Sequence, residues 1–174
     1  MSALRKTALV ALAAGALSVG GSLWLSPPAF AGQASSWDGH YLLTFSANQK
    51  TGTSMAARQP EYTERASYSF TSSCSTGVCV ATVDNPQAAG NQSMRQSVQY
   101  TWNGSQWVQV MNGKFDCPLL GGLVEHDPAR STTVLVPGPN GALTGVFRTE
   151  IVSGACKGNV DMPVTATPIS PPVV

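Results

Sequence analysis

The chain has 174 residues, of which 43% are hydrophobic and 11% are charged, and its formal net charge at pH 7 is +1. Apart from Arg5 and Lys6, its Lys and Arg residues are scattered singly, whereas binding to nucleic acid or to an anionic membrane surface requires clustered positive charge. The composition therefore argues against nucleic acid and anionic lipid as partners.

The first 31 residues have the three parts of a secretory signal peptide. Arg5 and Lys6 give a positive start, an apolar stretch covers residues 7–25, and the small residues of Ala29-Phe30-Ala31 follow a Pro-Pro break. We predict cleavage after Ala31, which makes the mature protein secreted or resident in the cell envelope, with no stable membrane insertion. The alternative is an uncleaved anchor, since about 20 apolar residues suffice to span a bilayer. The remainder is long enough for one domain, which we place at residues 32–165.

Residues after the predicted cleavage site alternate between apolar and polar, which is the pattern of β-strands. A first strand is predicted over residues 40–46, with Tyr41, Leu43 and Phe45 on one face. Residues 49–64 lack a clear period and are predicted to be a loop, with one helical turn as an option at Met55-Ala56-Ala57-Arg58.

All four cysteines, Cys74, Cys79, Cys117 and Cys156, follow the predicted cleavage site. An even number in an exported chain predicts disulfides, and four cysteines allow three pairings. We favour Cys74–Cys79 with Cys117–Cys156, because Ser75-Thr76-Gly77 is typical of a tight turn that brings the first two cysteines close together. The strand that ends at Cys74 then forms a hairpin with an apolar strand at residues 78–83.

The pair Asn103-Gly104 predicts a second hairpin of residues 96–102 with residues 105–111, because it suits the two positive φ angles of a type I′ turn. Its inner face is predicted to carry Val98, Tyr100, Trp102, Trp107 and Met111. With a two-residue loop, Tyr100 lies opposite Trp107 and Val98 lies opposite Gln109. A four-residue loop keeps the hairpin and moves these pairs. Residues 85–94, upstream, are predicted to be a loop.

A third hairpin is predicted to join residues 131–137 to residues 142–152 through Gly138-Pro139-Asn140-Gly141. A last strand follows around residues 160–164. Residues 166–174 are rich in proline and are predicted to be a disordered tail.

About eight strands in sequence order predict an all-β domain built as a single antiparallel meander. Such a meander hides its edges by closing into a small up-and-down barrel, which we prefer, or by folding into a two-sheet sandwich. The start Trp37-Asp38-Gly39-His40-Tyr41 resembles the Trp-x-Gly-x-Tyr motif of lipocalin-like barrels, in which the tryptophan closes one barrel end. The aromatic residues of such a barrel fill a core, the default, or line a ligand cavity.

No catalytic or cofactor-binding arrangement stands out in the sequence. A Gly-x-Ser-x-Gly motif is absent, and the cysteines lack the paired spacing of a zinc site. His40 lies in a predicted strand and is expected to point outward. His126 lies within Glu125-His126-Asp127, which suits a cation but is more simply a surface turn. We expect no catalytic residue, no cofactor and no metal.

Three segments carry a resemblance to known proteins: Cys-Ser-Thr-Gly-Val-Cys-Val-Ala-Thr at residues 74–82, Tyr-Thr-Trp-Asn-Gly followed by Trp-Val at residues 100–108, and Leu-Thr-Gly followed by Gly-Ala-Cys-Lys-Gly at residues 143–158. Over most of residues 37–165, the chain resembles a family of small exported mycobacterial and related actinobacterial proteins of uncharacterised function. The resemblance implies export, both disulfides and a single β domain, and it assigns no functional residue.

Three functional hypotheses follow from the sequence. We prefer a non-catalytic secreted or envelope domain that binds a small apolar or amphipathic ligand inside a barrel. The alternative is a surface module that contacts another envelope protein through residues 49–64 and 85–94. A hydrolase is the least favoured, since His40 and His126 are its only histidine bases.

Overall fold

The structure, a computed structural model, describes residues 36–75, 77–84 and 98–169. The predicted signal peptide with its cleavage site at Ala31 and the predicted loop over 85–94 lie outside these residues. Within them, no helix is long and apolar enough to cross a bilayer. The described strands are β1 Gly39–Phe45, β2 Thr51–Gly52, β3 Glu64–Ser75, β4 Val78–Val83, β5 Gln99–Trp102, β6 Trp107–Pro118, β7 Val124–Pro137, β8 Leu143–Ile151 and β9 Gly158–Pro168. Short 3-10 turns occupy Ala47–Gln49, Met55–Arg58, Leu120–Gly122 and Pro139–Gly141.

Eight of the strands form a closed antiparallel barrel. They pair in the order β1-β3-β4-β5-β6-β7-β8-β9, and β9 pairs back on β1 from Tyr41↔Pro168 to Phe45↔Val164. The short β2 pairs with β9 at Thr51↔Asp161. The predicted meander and up-and-down barrel are confirmed, and the sandwich alternative is not.

The closing strand corrects the predicted tail. β9 runs to Pro168, so residues 166–168 belong to the barrel instead of beginning a disordered segment. Ala166 pairs with Leu43 of β1 on one side and with Leu143 of β8 on the other, and it is fully buried. Pro168 is tolerated because it is the last residue of its strand, where a missing N–H interrupts no central ladder.

The β5–β6 hairpin has the predicted inner face but not the preferred register. Trp102 pairs with Trp107, so the connection has four residues. Asn103 does not adopt a positive φ angle. Its side-chain Oδ1 instead accepts hydrogen bonds from the backbone N–H groups of Ser105 and Gln106, at 3.2 and 3.1 Å, which forms an Asx turn. A shift by two residues keeps both tryptophans inside, because side chains alternate with period two.

The β6–β7 hairpin extends well beyond the strands predicted at residues 105–111 and 131–137. It continues until Pro118 pairs with Val124. Polar residues and Pro128 interrupt the apolar alternation there, which is why the sequence gives no clear strand pattern. The segment Glu125-His126-Asp127 therefore lies in β7, and the expected surface turn at this position is wrong.

One end of the barrel is filled by aromatic and aliphatic side chains. Trp37 is 1% exposed, and its ring stacks on that of Phe70 with the centroids 4.1 Å apart. The rings of Tyr100 and Trp107 pack against the same indole, with centroid distances of 4.8 and 5.9 Å. Trp37 thus closes this barrel end, as the lipocalin-like motif implies.

A second, smaller cluster lies around the longer disulfide. The structure joins Cys74 to Cys79 and Cys117 to Cys156, with Cα–Cα distances of 4.0 and 5.8 Å. These are the pairs favoured from the sequence. Cys117 and Cys156 are fully buried, and they pack with four apolar residues: Ala56, Ala57, Ile151 and Val160.

Candidate functional site

A cleft of about 390 Å³ opens at the barrel end opposite to Trp37. Its floor and walls come from β6, β7, β8 and β9, and its roof comes from the segment at residues 50–61, which connects β1 to β3. Since β1 ends where β3 begins, at the pair Phe45↔Glu64, this connection must lie at that end of the barrel. The segment that we predicted to be a loop is therefore the cover of a cavity.

The inner wall of the cleft is a row of side chains that runs across four strands. Met111 pairs with Ser131, Ser131 pairs with Thr149, and Thr149 pairs with Val160. All four line the cleft. The hydroxyl groups of Ser131 and Thr149 lie 3.0 Å apart and hydrogen-bond to each other, so the wall offers mainly apolar surface with a small polar centre.

A second row separates the cleft from the packed core. It runs from Gln109 through Thr133 and Phe147 to Met162. Phe147 and Met162 face the cleft, whereas Gln109 and Thr133 are buried and joined by a hydrogen bond of 3.3 Å. The barrel thus changes from a filled interior to a cavity within one layer of side chains.

The roof of the cleft is fixed to β9 and to the turn before it. Ser54 is fully buried, its Oγ donates a hydrogen bond to the carbonyl of Cys156, and it accepts one from the N–H of Ala56 at 3.1 Å. The Ser54 N–H donates to the carbonyl of Asn159 at 3.1 Å. Gly52 permits this close approach, because a Cβ there would lie 2.0 Å from the same carbonyl oxygen. The predicted helical turn at Met55–Arg58 is a 3-10 turn held by these bonds.

A nearly buried lysine places a positive charge in the lining of the cleft. The side chain of Lys50 is 7% exposed, and its ammonium group forms an ion pair with Glu61, whose side chain is 55% exposed. Both residues line the cleft. Lys114 and Asp116 of β6 also line the cleft, and both are exposed to solvent.

The two histidines are exposed and do not line the cleft. His40 points outward, as expected, with its Nδ1 2.9 Å from Ser69 Oγ. The Nδ1 of His126 lies 2.7 Å from a carboxylate oxygen of Asp116, across the β6–β7 pair. Because side chains alternate along a strand, His126 faces away from its neighbours Glu125 and Asp127.

A comparison with known families identifies the kind of domain. The family model for the sensor domain of the PknI serine/threonine-protein kinase matches residues 34–172. The chain belongs to the PknI sensor domain family. This confirms the predicted resemblance to a mycobacterial protein family. No curated protein sequence matches the chain.

The monomer form of a solved PknI sensor domain shares the fold. The monomer form of the M. tuberculosis PknI sensor domain is 16% identical, with a TM-score of 0.59 over 79% of this chain and 90% of that one. The dimer form of the same sensor domain is also 16% identical, with a TM-score of 0.46 over 98% of this chain and 96% of that one. At this level of identity the similarity concerns the barrel alone.

The residues that build the cleft of this PknI sensor family domain are not recognisable in the sequence. Met111 and Phe147 alternate with polar residues, as the core residues of any strand do. The alternating pattern therefore does not distinguish residues that line a cavity from residues that fill a core. Lys50 and Glu61 lie in a segment without a period. Only the long-range placement of the roof over β6–β9 brings them together.

Proposed function

We propose that this domain is a non-catalytic sensor module that lies outside the cytoplasm and binds a small anionic amphipathic molecule in the cleft beneath residues 50–61. The cleft is the observation that carries the proposal. Its volume of about 390 Å³ falls within the range of roughly 300–1,000 Å³ typical of small-molecule sites. Its lining combines apolar side chains with polar and charged ones, which suits an amphipathic ligand.

The apolar part of the ligand would contact the inner wall. Met111, Phe147, Val160 and Met162 supply apolar surface from three strands. Methionine side chains are unbranched and polarizable, so they adapt to ligands of different shape. This supports recognition of an alkyl chain or a similar flexible group.

The anionic part of the ligand would pair with Lys50. The lysine side chain is almost fully buried, so its ammonium group needs a partner. Its present partner, Glu61, has a side chain that is 55% exposed and is readily rehydrated. A ligand carboxylate can therefore replace Glu61 without leaving a buried charge unpaired.

Two features support a location outside the cytoplasm. Both disulfides are typical of oxidising compartments, and the predicted signal peptide precedes the domain. Membership of a sensor domain family supports a binding role without catalysis.

A surface-interaction module remains the second candidate, and one observation favours it. At the tip of the β6–β7 hairpin, Leu120 is 98% exposed and Leu123 is 67% exposed. The contact loops predicted from the sequence are residues 49–64 and 85–94, and these exposed leucines add the hairpin tip as a further contact for another envelope protein. Replacing both with serine would abolish such a contact and leave ligand binding in the cleft unchanged.

Isothermal titration calorimetry of the purified, disulfide-bonded protein with dodecanoate tests the proposal. Ser131→Phe fills the cleft and should abolish binding, whereas Thr132→Phe, on the opposite face of β7, should preserve it. Lys50→Met should weaken dodecanoate but not uncharged dodecanol, and Lys157→Met, whose lysine does not line the cleft, should weaken neither. Absence of dodecanoate binding, or equal binding by the two β7 variants, would contradict the proposal.

A further inference from the structure

The β6–β7 hairpin carries two carboxylates that the cleft does not use. Glu125 and Asp127 are two residues apart on β7, so their side chains lie on the same face. A carboxylate oxygen from each and the Sγ of Cys117 all lie within 4.8 Å of one another. The group faces the turn that precedes Cys156, where the Ala155 N–H donates a hydrogen bond to Glu125 at 2.9 Å.

Asp127 is buried with one oxygen that has no partner. The residue is 4% exposed, and in the described part of the chain its Oδ2 makes no hydrogen bond. Its Oδ1 is 3.5 Å from the hydroxyl of Ser153. A carboxylate that is removed from water without compensation is strongly disfavoured.

No positive side chain compensates these two carboxylates among the described residues. The acidic groups found in ion pairs there are those of Glu61, Asp116, Glu150 and Asp161. Glu125 and Asp127 are therefore close to each other, and neither is in an ion pair. A bound cation would satisfy both the charge and the unpartnered oxygen.

We propose that Glu125 and Asp127 form a Ca²⁺ site against the turn at residues 153–155. Two oxygens that each lie about 2.4 Å from one Ca²⁺ are at most about 4.8 Å apart, which the two carboxylates satisfy. The sulfur of Cys117 is bonded to Cys156, so it offers no thiolate to zinc. Water molecules would complete the coordination shell. Such an irregular set of oxygen ligands suits Ca²⁺, which accepts flexible geometry, better than Mg²⁺, which requires a near-ideal octahedron.

The turn is shaped to approach the carboxylate closely. Gly154 has a φ of +76°, and a Cβ at this position would lie 2.0 Å from Asp127 Oδ1. A glycine is therefore required for the turn to lie against Asp127. A cation held there would link β7 to this turn, next to the covalent link between Cys117 and Cys156.

Urea unfolding of the purified, disulfide-bonded protein, followed by tryptophan fluorescence, tests the site with CaCl₂ as the probe and EDTA as the reference. Extracellular Ca²⁺ modules bind with dissociation constants of roughly 0.1–1 mM, so about 10 mM Ca²⁺ should lower the unfolding equilibrium constant about 10- to 100-fold. Asp127→Asn and Glu125→Gln should each lose this effect. Asp116→Asn, a carboxylate of the same hairpin on the other face, should retain it.

Calorimetric titration of the wild-type protein with CaCl₂ keeps the proposal testable if Asp127→Asn does not fold. We expect one binding event in the wild type and none in Glu125→Gln. Absence of Ca²⁺ binding by the wild type would overturn the proposal. An equal response in Glu125→Gln and the wild type, or an equal effect of MgCl₂ and CaCl₂, would also overturn it.

Discussion

The hydroxyl group of Ser54 donates a hydrogen bond of 2.5 Å to the backbone carbonyl of Cys156. Because Cys156 is bridged to Cys117, this bond connects the roof of the cleft to the disulfide that reaches β6. The covering segment is thus part of the folded framework, and the shape of the cleft depends on contacts between residues about a hundred positions apart.

Ser54→Ala should destabilise the protein by about 1–3 kcal/mol, because the buried Cys156 carbonyl loses its donor and the Ala56 N–H loses its acceptor. Urea denaturation measures the change in the free energy of unfolding. Ser73→Ala, at an exposed serine of β3, is the matched control and should leave this free energy nearly unchanged. Equal effects of the two substitutions would show that the hydrogen bond contributes nothing.

The two disulfides should contribute unequally to stability. Removing Cys117–Cys156 by a double substitution to alanine should cost about 4 kcal/mol, and removing Cys74–Cys79 should cost about 2 kcal/mol, since the closed loops differ in length. The sequence separations are 39 and 5 residues. Denaturation of the two double variants under identical conditions checks this order, and a larger loss for the Cys74–Cys79 variant would reverse the account.

Trp37→Ala should destabilise the barrel by about 3–5 kcal/mol, as expected for a large aromatic residue removed from a packed interior. Trp37 is 1% exposed, and its backbone is held by two hydrogen bonds with the hydroxyl group of Ser72, at 2.7 and 2.8 Å. Thermal unfolding monitored by circular dichroism provides the measurement. Tyr62→Ala, at a ring that is 93% exposed, should change stability by less than about 0.5 kcal/mol.

Stability should fall at alkaline pH partly because of Tyr100. Burial raises the pKa of its phenol above the ordinary value of 10.0, the nearby Tyr68 raises this pKa further, and a hydrogen bond with Thr133 opposes the shift. The unfolded state therefore releases the proton at a lower pH than the folded state does. The contribution of Tyr100 is complete below about pH 10 and decreases by about 1 kcal/mol per pH unit above it. Tyr100→Phe should show a shallower loss between pH 10 and 11.5 in urea denaturation, and an unchanged slope would contradict this assignment.

Much of the barrel is predictable from the alternation of side chains, because one face of each strand must be buried. That pattern gives β1, β4 and β8 nearly to the residue. It does not give the register of β5–β6, since the Asn103 side chain replaces the backbone turn that Asn-Gly usually makes. It also does not show that β9 reaches Pro168. Proline argues locally against a strand, whereas the pairing of Pro168 with Tyr41 depends on closure of the barrel between distant parts of the chain.

The candidate site was less predictable than the fold. Ser131 and Thr149 form the polar centre of the cleft wall only because β7 and β8 pair in one register. The unpartnered oxygen of Asp127 depends on the approach of Gly154, which lies 27 positions later in the chain. Neither relationship leaves a sequence pattern, and the expected surface turn at Glu125-His126-Asp127 gave no indication of a buried carboxylate.

Methyl NMR of protein labelled with ¹³C at the methionine methyl groups tests the binding role of the cleft most directly. Met111 and Met162 line the cleft, whereas Met55 is 46% exposed and does not, so the chain contains its own control. On addition of dodecanoate, we predict that the resonances of Met111 and Met162 shift together and saturate while that of Met55 stays in place. Unchanged resonances at Met111 and Met162 under saturating dodecanoate would contradict the account.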